Sequence, residues 1–253
     1  MSRSEKTELF ENAIDSLEHG VQHFLVRKEA PTAIKHSILT IYHSIELFLK
    51  ERLARIHPNL IYRNIDKRIT DDSQTVGLAE TIQRLENLGI NLSGAQVKDL
   101  LELQRRRNRI EHHRFDPTKE HELVVGQALK FLLDFLPEHL GITLEEVIQD
   151  QDAYRAIIDA IFSYQERIKQ AHAEVAKLLH SDPRVGDSMV VSACPECGER
   201  TLVVASPRGD FCFFCHTELS VEKCEACYQY FNADDLDALG MCPRCAEEAY
   251  RRF

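Results

Sequence analysis

The sequence predicts a mainly α protein: a helical bundle followed by a small β-hairpin module held together by its cysteines. Three observations carry this. Apolar residues recur at helical spacing up to about residue 180, and nothing alternates with period two before residue 190. Glycine and proline are scarce, at 10 and 8 of 253 residues. All eight cysteines fall between Cys194 and Cys245, which sets the last quarter of the chain apart.

The elements follow in order. Thr7 to Lys28 carries Leu9, Phe10, Ile14, Leu17, Val21, Phe24 and Leu25 on one helical stripe. Pro31 suits the first turn of a second helix, striped by Ile34, Ile38, Ile41, Tyr42, Ile45, Leu49, Leu53 and Ile56 and ended by Pro58. The polar stretch "RNIDKRITDDSQ" reads as a loop with at most one helical turn. A third helix spans about Val76 to Leu88, with Gly89 placed to close it. Ser93 can cap a fourth helix that reaches about Arg114. A fifth covers about Lys119 to Leu136. Thr143 to Glu146, "TLEE", fits a capping box, and a long sixth helix follows, with a possible break at "DQD", to about His180. Pro and Gly in "HSDPRVGDS" mark a boundary, giving domains at 1–182 and 183–253.

The cysteines form four C-x-x-C pairs, "CPEC", "CFFC", "CEAC" and "CPRC". Fourteen residues separate Cys197 from Cys212, and fourteen separate Cys227 from Cys242, so the unit repeats with a period of thirty. Two such knuckles supply four thiolates, a donor set that suits tetrahedral Zn²⁺. The spacer "GERTLVVASPRGDF" reads as strand, turn, strand, which brings its two knuckles together. The expectation is two structural zinc ions per chain, on Cys194, Cys197, Cys212 and Cys215, and on Cys224, Cys227, Cys242 and Cys245. An interleaved set, in which the first pair shares a metal with the third, stays open. Disulfides are disfavoured in the cytoplasmic setting expected below. Gly198 can take the tight turn after Cys197, and His216, beside Cys215, reads as a surface histidine rather than a ligand.

Charge narrows the partners. The chain has 31 Lys+Arg against 41 Asp+Glu, a net −10. Residues 181–253 hold 7 basic and 13 acidic residues, a net −6, and each Zn(Cys)₄ centre would add about −2. The cysteine module is therefore a poor phosphate binder and suits protein docking. The N-terminus has no apolar signal-like core and no apolar run approaches a membrane span, which predicts a cytoplasmic protein with no membrane partner.

Against that acidic background stands "LQRRRNRIEHHRF", Leu103 to Phe115, with five arginines and two histidines against one glutamate. Stepping by threes and fours, Leu100, Leu103, Arg107 and Ile110 share a face, so Arg107 falls within the apolar stripe. A buried arginine needs a partner. Glu46, within the stripe Tyr42, Leu49, Leu53 of the second helix, could supply it; Glu111, four residues on, is another.

Arg107-Asn108-Arg109-Ile110-Glu111-His112 reads R-N-x-x-x-H, and it resembles the signature of the HEPN superfamily, helical-bundle domains that include many metal-independent ribonucleases of toxin–antitoxin, abortive-infection and CRISPR systems. Its place near the end of the fourth helix, and the stretch "HSIELFLKERLARIHPNLIY", add to the resemblance, which covers roughly residues 5 to 140, or to 180, and not the cysteine module. The resemblance implies an HEPN-like bundle; the tandem zinc ribbons expected after it rest on the cysteine spacing alone. It implies an endoribonuclease, a toxin or phage-defence effector, that works by attack of the RNA 2′-OH on the adjacent phosphate and without a catalytic metal. Arg107, Asn108 and His112 would be catalytic, with Glu46 in support. His112 can move a proton near neutral pH, and Arg107 can stabilise transition-state charge. Asn108, one turn before His112, could orient its ring. Arg105, Arg106, Arg109, His113 and Arg114 would attract RNA phosphates. Arg107 and His112 are about 140° apart around a helix, so the implied homodimer would let two helices share the work. The acidic ribbons could dock an antitoxin or another defence component. Members silenced by a nucleotidyltransferase antitoxin often carry Tyr two residues after the motif His, where this chain has Arg114. The alternative is a non-catalytic HEPN adaptor that binds RNA or protein.

Overall fold

A computed structural model describes residues 8–70, 72–112, 119–181, 189–206 and 209–250. The chain divides into two compact units, the first ending at Tyr164 and the second starting at Gln165. The residues at the expected 182/183 boundary lie outside those described.

The first unit is helical. Helix α1 runs Glu8–Leu25 and passes into a 3-10 turn, Val26–Lys28. Helix α2 spans Ala33–Ala54 and buries 13 of its 22 residues, on more than one face, which makes it the central helix. Its Ile41, Ile45, Phe48, Leu49 and Leu53 are fully buried. Antiparallel α1 packs along it, and the two approach closely at Gly20, where a Cβ would sit 2.5 Å from Ile41 Cγ1. The Ser44 hydroxyl donates to the Ala13 carbonyl at 2.7 Å, so the buried polar group is satisfied.

The polar stretch after Pro58 is a closed loop. Tyr62 bridges Thr75, and Arg84 donates to the carbonyls of Leu60 and Tyr62 from helix α3, Leu78–Asn87. Gly89 takes a positive φ of 77° after that helix, as its position predicts. Helix α4, Gly94–His112, opens on a reciprocal cap: Gln96 N–H donates to Ser93 Oγ, and Ser93 N–H to Gln96 Oε1. Helix α5 spans Lys119–Phe135 and widens into a π turn, Leu136–Leu140, where Pro137 lacks an N–H to continue the ladder.

The capping box at Thr143–Glu146 forms, but it opens only a four-residue helix, α6, Leu144–Val147. The long sixth helix is broken, as "DQD" allowed: α7, Gln151–Ser181, starts afresh with Asp150 Oδ1 accepting from Ala153 N–H. The break falls at "DQD" because Asp150 competes for the helical backbone as a cap.

In the second unit, strands β1 (Val190–Ser192), β2 (Leu202–Ser206), β3 (Gly209–Cys212) and β4 (Glu218–Leu219) form one antiparallel sheet in chain order. Strands β5 (Val221–Lys223) and β6 (Tyr230–Asn232) form a second, and helix α8 (Pro243–Tyr250) ends the described chain. The spacer 198–211 contains the two expected strands, paired antiparallel; Pro207 and Arg208, at the expected turn, lie outside the described residues. The equivalent spacer of the second repeat holds no such pair: after β6 it runs through a 3-10 turn, Ala233–Asp235, to the last knuckle.

Candidate functional site

Two sites follow from these elements: the arginine-rich end of α4 and the cysteine clusters.

On α4, Leu100, Leu103 and Ile110 are buried, as the stripe predicts. The arginine that joins them is Arg106, not Arg107. Arg106 is 13% exposed, whereas Arg107 is 35% exposed. Both residues lie at helical steps from Leu103 and Ile110; the unforeseen burial of Glu102 widens the inner face toward Arg106. Glu102 is 4% exposed at its side chain and takes Arg105 at 3.0 Å on one oxygen and Arg106 at 3.6 Å on the other. Burial pushes its carboxyl above the usual range, and the charges of Arg106, Arg105 and Arg109 oppose that rise without cancelling it. The sequence signal was available: one glutamate followed by arginines at i+3, i+4 and i+7.

Arg107 does not pair with Glu46. Glu46 pairs with Lys50 at 2.7 Å, one turn along α2, and Lys50 also donates to Thr75. Arg107 pairs with Glu111 at 2.7 Å, donates to Asn108 Oδ1 at 3.0 Å and lies 5.7 Å from the centre of the Tyr42 ring. Within-helix partners win because they need no second element to be placed. Tyr42 stands between the two charges. Burial chiefly raises its phenol above its usual range, Glu46 adds to the rise, and Arg107 and a hydrogen bond with Gln104 counter it. Asn108 and Arg109 are exposed, and the Arg105 side chain is 65% exposed. His112 is the last described residue of α4, one turn beyond Asn108; its side chain, with His113 and Arg114, lies outside the described residues. The described geometry gives a half-exposed guanidinium paired with Glu111 and Asn108 on its own helix and set beside the Tyr42 ring of α2, able to exchange a carboxylate for another planar or tetrahedral oxyanion.

The cysteines gather as Cys194, Cys197, Cys212, Cys215 and as Cys224, Cys227, Cys242, Cys245, with the sulfurs of each group within 4.8 Å of one another. The arrangement is sequential, one cluster per repeat, and not interleaved. Sulfur separations are 3.8 Å for Cys194–Cys215, 3.5 Å for Cys197–Cys212 and 4.0 Å for Cys227–Cys242. Four thiolates about 2.3 Å from a tetrahedral ion stand about 3.8 Å apart, whereas a disulfide needs about 2.05 Å. Each cluster therefore fits one metal ion, and the eight cysteines are free of disulfides.

The repeat is also written in the backbone. In all four knuckles the N–H four residues after the first cysteine donates to that cysteine's carbonyl: Gly198 to Cys194, His216 to Cys212, Tyr228 to Cys224 and Ala246 to Cys242, at 2.8 to 3.0 Å. In the first three the donor residue turns left-handed, at φ 71° for Gly198, 59° for His216 and 57° for Tyr228. Only Gly198 adopts it without a Cβ penalty, so the other two were invisible to a search for glycine. The fourth knuckle runs into α8 instead. Donors also aim at the sulfurs: Glu196 N–H at Cys194 and Cys242 N–H at Cys224, both at 3.3 Å, which favours thiolate over thiol. His216 is outside the ligand set. Its ring meets Arg167 on the distal part of α7, and that guanidinium also donates to the carbonyls of Phe213 and Phe214.

Among the described residues no helix is long and apolar enough to cross a membrane. No family model, no curated protein and no solved structure matches the chain.

Proposed function

We propose that the protein is a metal-independent endoribonuclease of HEPN type, a cytoplasmic toxin or phage-defence effector, whose two cysteine clusters hold structural Zn²⁺. The carrying observation is the Arg107–Asn108 pair, with Arg107 half-exposed and Asn108 exposed, on α4 about one turn before His112. Arg107 would exchange Glu111 for a scissile phosphate and stabilise the charge that builds on its non-bridging oxygens. His112 would take the proton from the attacking 2′-OH or return one to the leaving 5′-oxygen. Asn108 would keep Arg107 and the ring in register. Because positions 107 and 112 lie about 140° apart around one helix, a homodimer with facing α4 helices would complete the site. The all-thiolate donor sets and their spacing support zinc over harder metals.

The test is incubation of purified protein with mixed RNA in the absence of added divalent metal. Products ending in 2′,3′-cyclic phosphate and 5′-OH are expected, and an RNA with the attacking 2′-OH removed should resist. Cleavage of an all-DNA strand would defeat the proposed nucleophile.

A second reading has its own observation. Glu102 engages Arg105 and Arg106, and Glu111 engages Arg107, so three arginines of the cluster have protein carboxylates already. That arrangement suits a non-catalytic adaptor in which α4 scaffolds, binds RNA weakly, or docks protein. RNA binding without any cleavage would favour it.

A further inference from the structure

The α1–α2 pair, in contact at Gly20, places histidines on both of its helices. His19 and His23 lie one turn apart on α1, and His36 lies opposite on α2. The rings of His23 and His36 stand 5.3 Å apart, centre to centre. Two imidazoles on one tetrahedral zinc, with nitrogens about 2.0 Å from the ion, place their ring centres about 5.2 Å apart. The ring-centre spacing across the helix pair therefore matches the one a shared ion requires. Gly20 makes it possible: without a Cβ it lets α1 and α2 close to contact at Ile41, next to His19.

We propose that His19, His23 and His36 form a third metal site for a divalent first-row transition ion, built from imidazoles and separate in chemistry from the cysteine clusters. His19 is 59% exposed and its Nδ1 lies 3.5 Å from Asp15, one turn earlier. A change of rotamer brings its ring toward His23, and the Asp15 carboxylate then serves as the oxygen ligand or orients the His19 ring from behind. Bound metal would clip α1 to α2 and add to the stability of the first unit by mass action.

The experiment counts zinc on the full chain. Protein loaded with zinc is dialysed to remove loose ions, then titrated with Zn²⁺ while free zinc is followed with a weak indicator. The readout is the difference between wild type and His36→Gln, so it does not depend on how the cysteine clusters load. Wild type should take up about one more equivalent at micromolar free zinc than His36→Gln or His23→Gln, and His19→Gln should bind that equivalent about tenfold more weakly. With Co²⁺ as the titrant, this equivalent should add no thiolate charge-transfer absorption. Equal zinc uptake by wild type and both glutamine variants, each with wild-type helicity, overturns the site. So does a third equivalent whose Co²⁺ spectrum shows thiolate ligation.

Discussion

Arg106 stands 3.6 Å from the buried carboxylate of Glu102, one helical turn behind it, and that pair rather than Arg107 occupies the inner face of α4. The ion pair explains part of the basic cluster without any ligand. It also fixes the direction in which the neighbouring arginines can point, since Arg105 shares the same carboxylate.

The Glu102 pair has a pH signature. Burial raises its folded pKa above the ordinary carboxylate range, against the pull of Arg106, Arg105 and Arg109, so the folded state holds the proton more tightly than the unfolded state. Unfolding free energy from this group therefore falls as pH rises through the window between the unfolded and the raised folded pKa, and it is fully present below about pH 4. Glu102→Gln removes that dependence. The variant should match wild type near pH 4 and gain on it as pH rises to 7.5. Urea denaturation of both proteins across that range checks the sign; a gap that widens toward acid contradicts it.

Arg107 lies half exposed with its partners on its own helix, so its removal should hardly touch the fold. Arg107→Met should cost no more than about 1 kcal/mol, the range of an exposed i,i+4 pair. If the catalytic reading holds, RNA cleavage should drop by about a hundredfold or more, as for loss of a transition-state donor. His112→Ala should do the same. Because Glu46 pairs with Lys50, adding Glu46→Leu should not rescue stability in the Arg107→Met background. A folded Arg107→Met or His112→Ala protein that cleaves RNA at the wild-type rate sinks the proposed mechanism.

The parts of this protein legible in sequence were those fixed by local spacing. Knuckle spacing gave both cysteine clusters, and helical periodicity gave α1 to α5, because both depend on residues a few positions apart. What escaped depends on contacts across elements. The choice between Arg106 and Arg107 for the inner face rests on a buried glutamate beside the stripe. The Lys50–Glu46–Tyr42 neighbourhood and the His23–His36 pair need α2 placed against its neighbours. Gly20 and Gly126 look like weak points in helices until the facing chain is seen.

Gly126 offers a sharp test, because two principles predict opposite signs. By helix propensity alone, Gly126→Ala on α5 should stabilise by up to about 1 kcal/mol. A Cβ there would lie 2.4 Å from the Ala160 carbonyl oxygen on α7, a backbone atom that cannot swing aside. Overpacking of this kind costs about 1–3 kcal/mol, so the variant should be destabilised despite better propensity. Gly94→Ala, at the open start of α4 with nothing within 4 Å, is the control and should show no steric cost. Urea midpoints decide it; a stabilised Gly126→Ala protein would mean α5 and α7 are not in contact at this point.

Metal removal should act on the second unit and spare the first. Its sheets are short, from two to five residues per strand, and each cluster draws its ligands from separate knuckles that no disulfide joins. So small a module has too little apolar area to fold unaided, and metal binding supplies the missing free energy. The first unit owes its stability to the core around α2 and holds no cysteine. Chelation at neutral pH should make residues 190–250 cleavable by protease and erase their strand signal, while most helical circular dichroism persists. Cys212→Ser and Cys242→Ser should each reduce the tightly held zinc by one ion per chain, by elemental analysis. The two modules also touch, through Asn232 Nδ2 donating to Glu196 at 2.9 Å and Val221 N–H to Asp210 at 3.2 Å. Loss of one ion should therefore loosen the other cluster without emptying it, seen as faster zinc release to a chromogenic chelator. If either serine variant still holds two ions, or if chelation melts the helices along with the sheets, the division of labour between the two units is wrong.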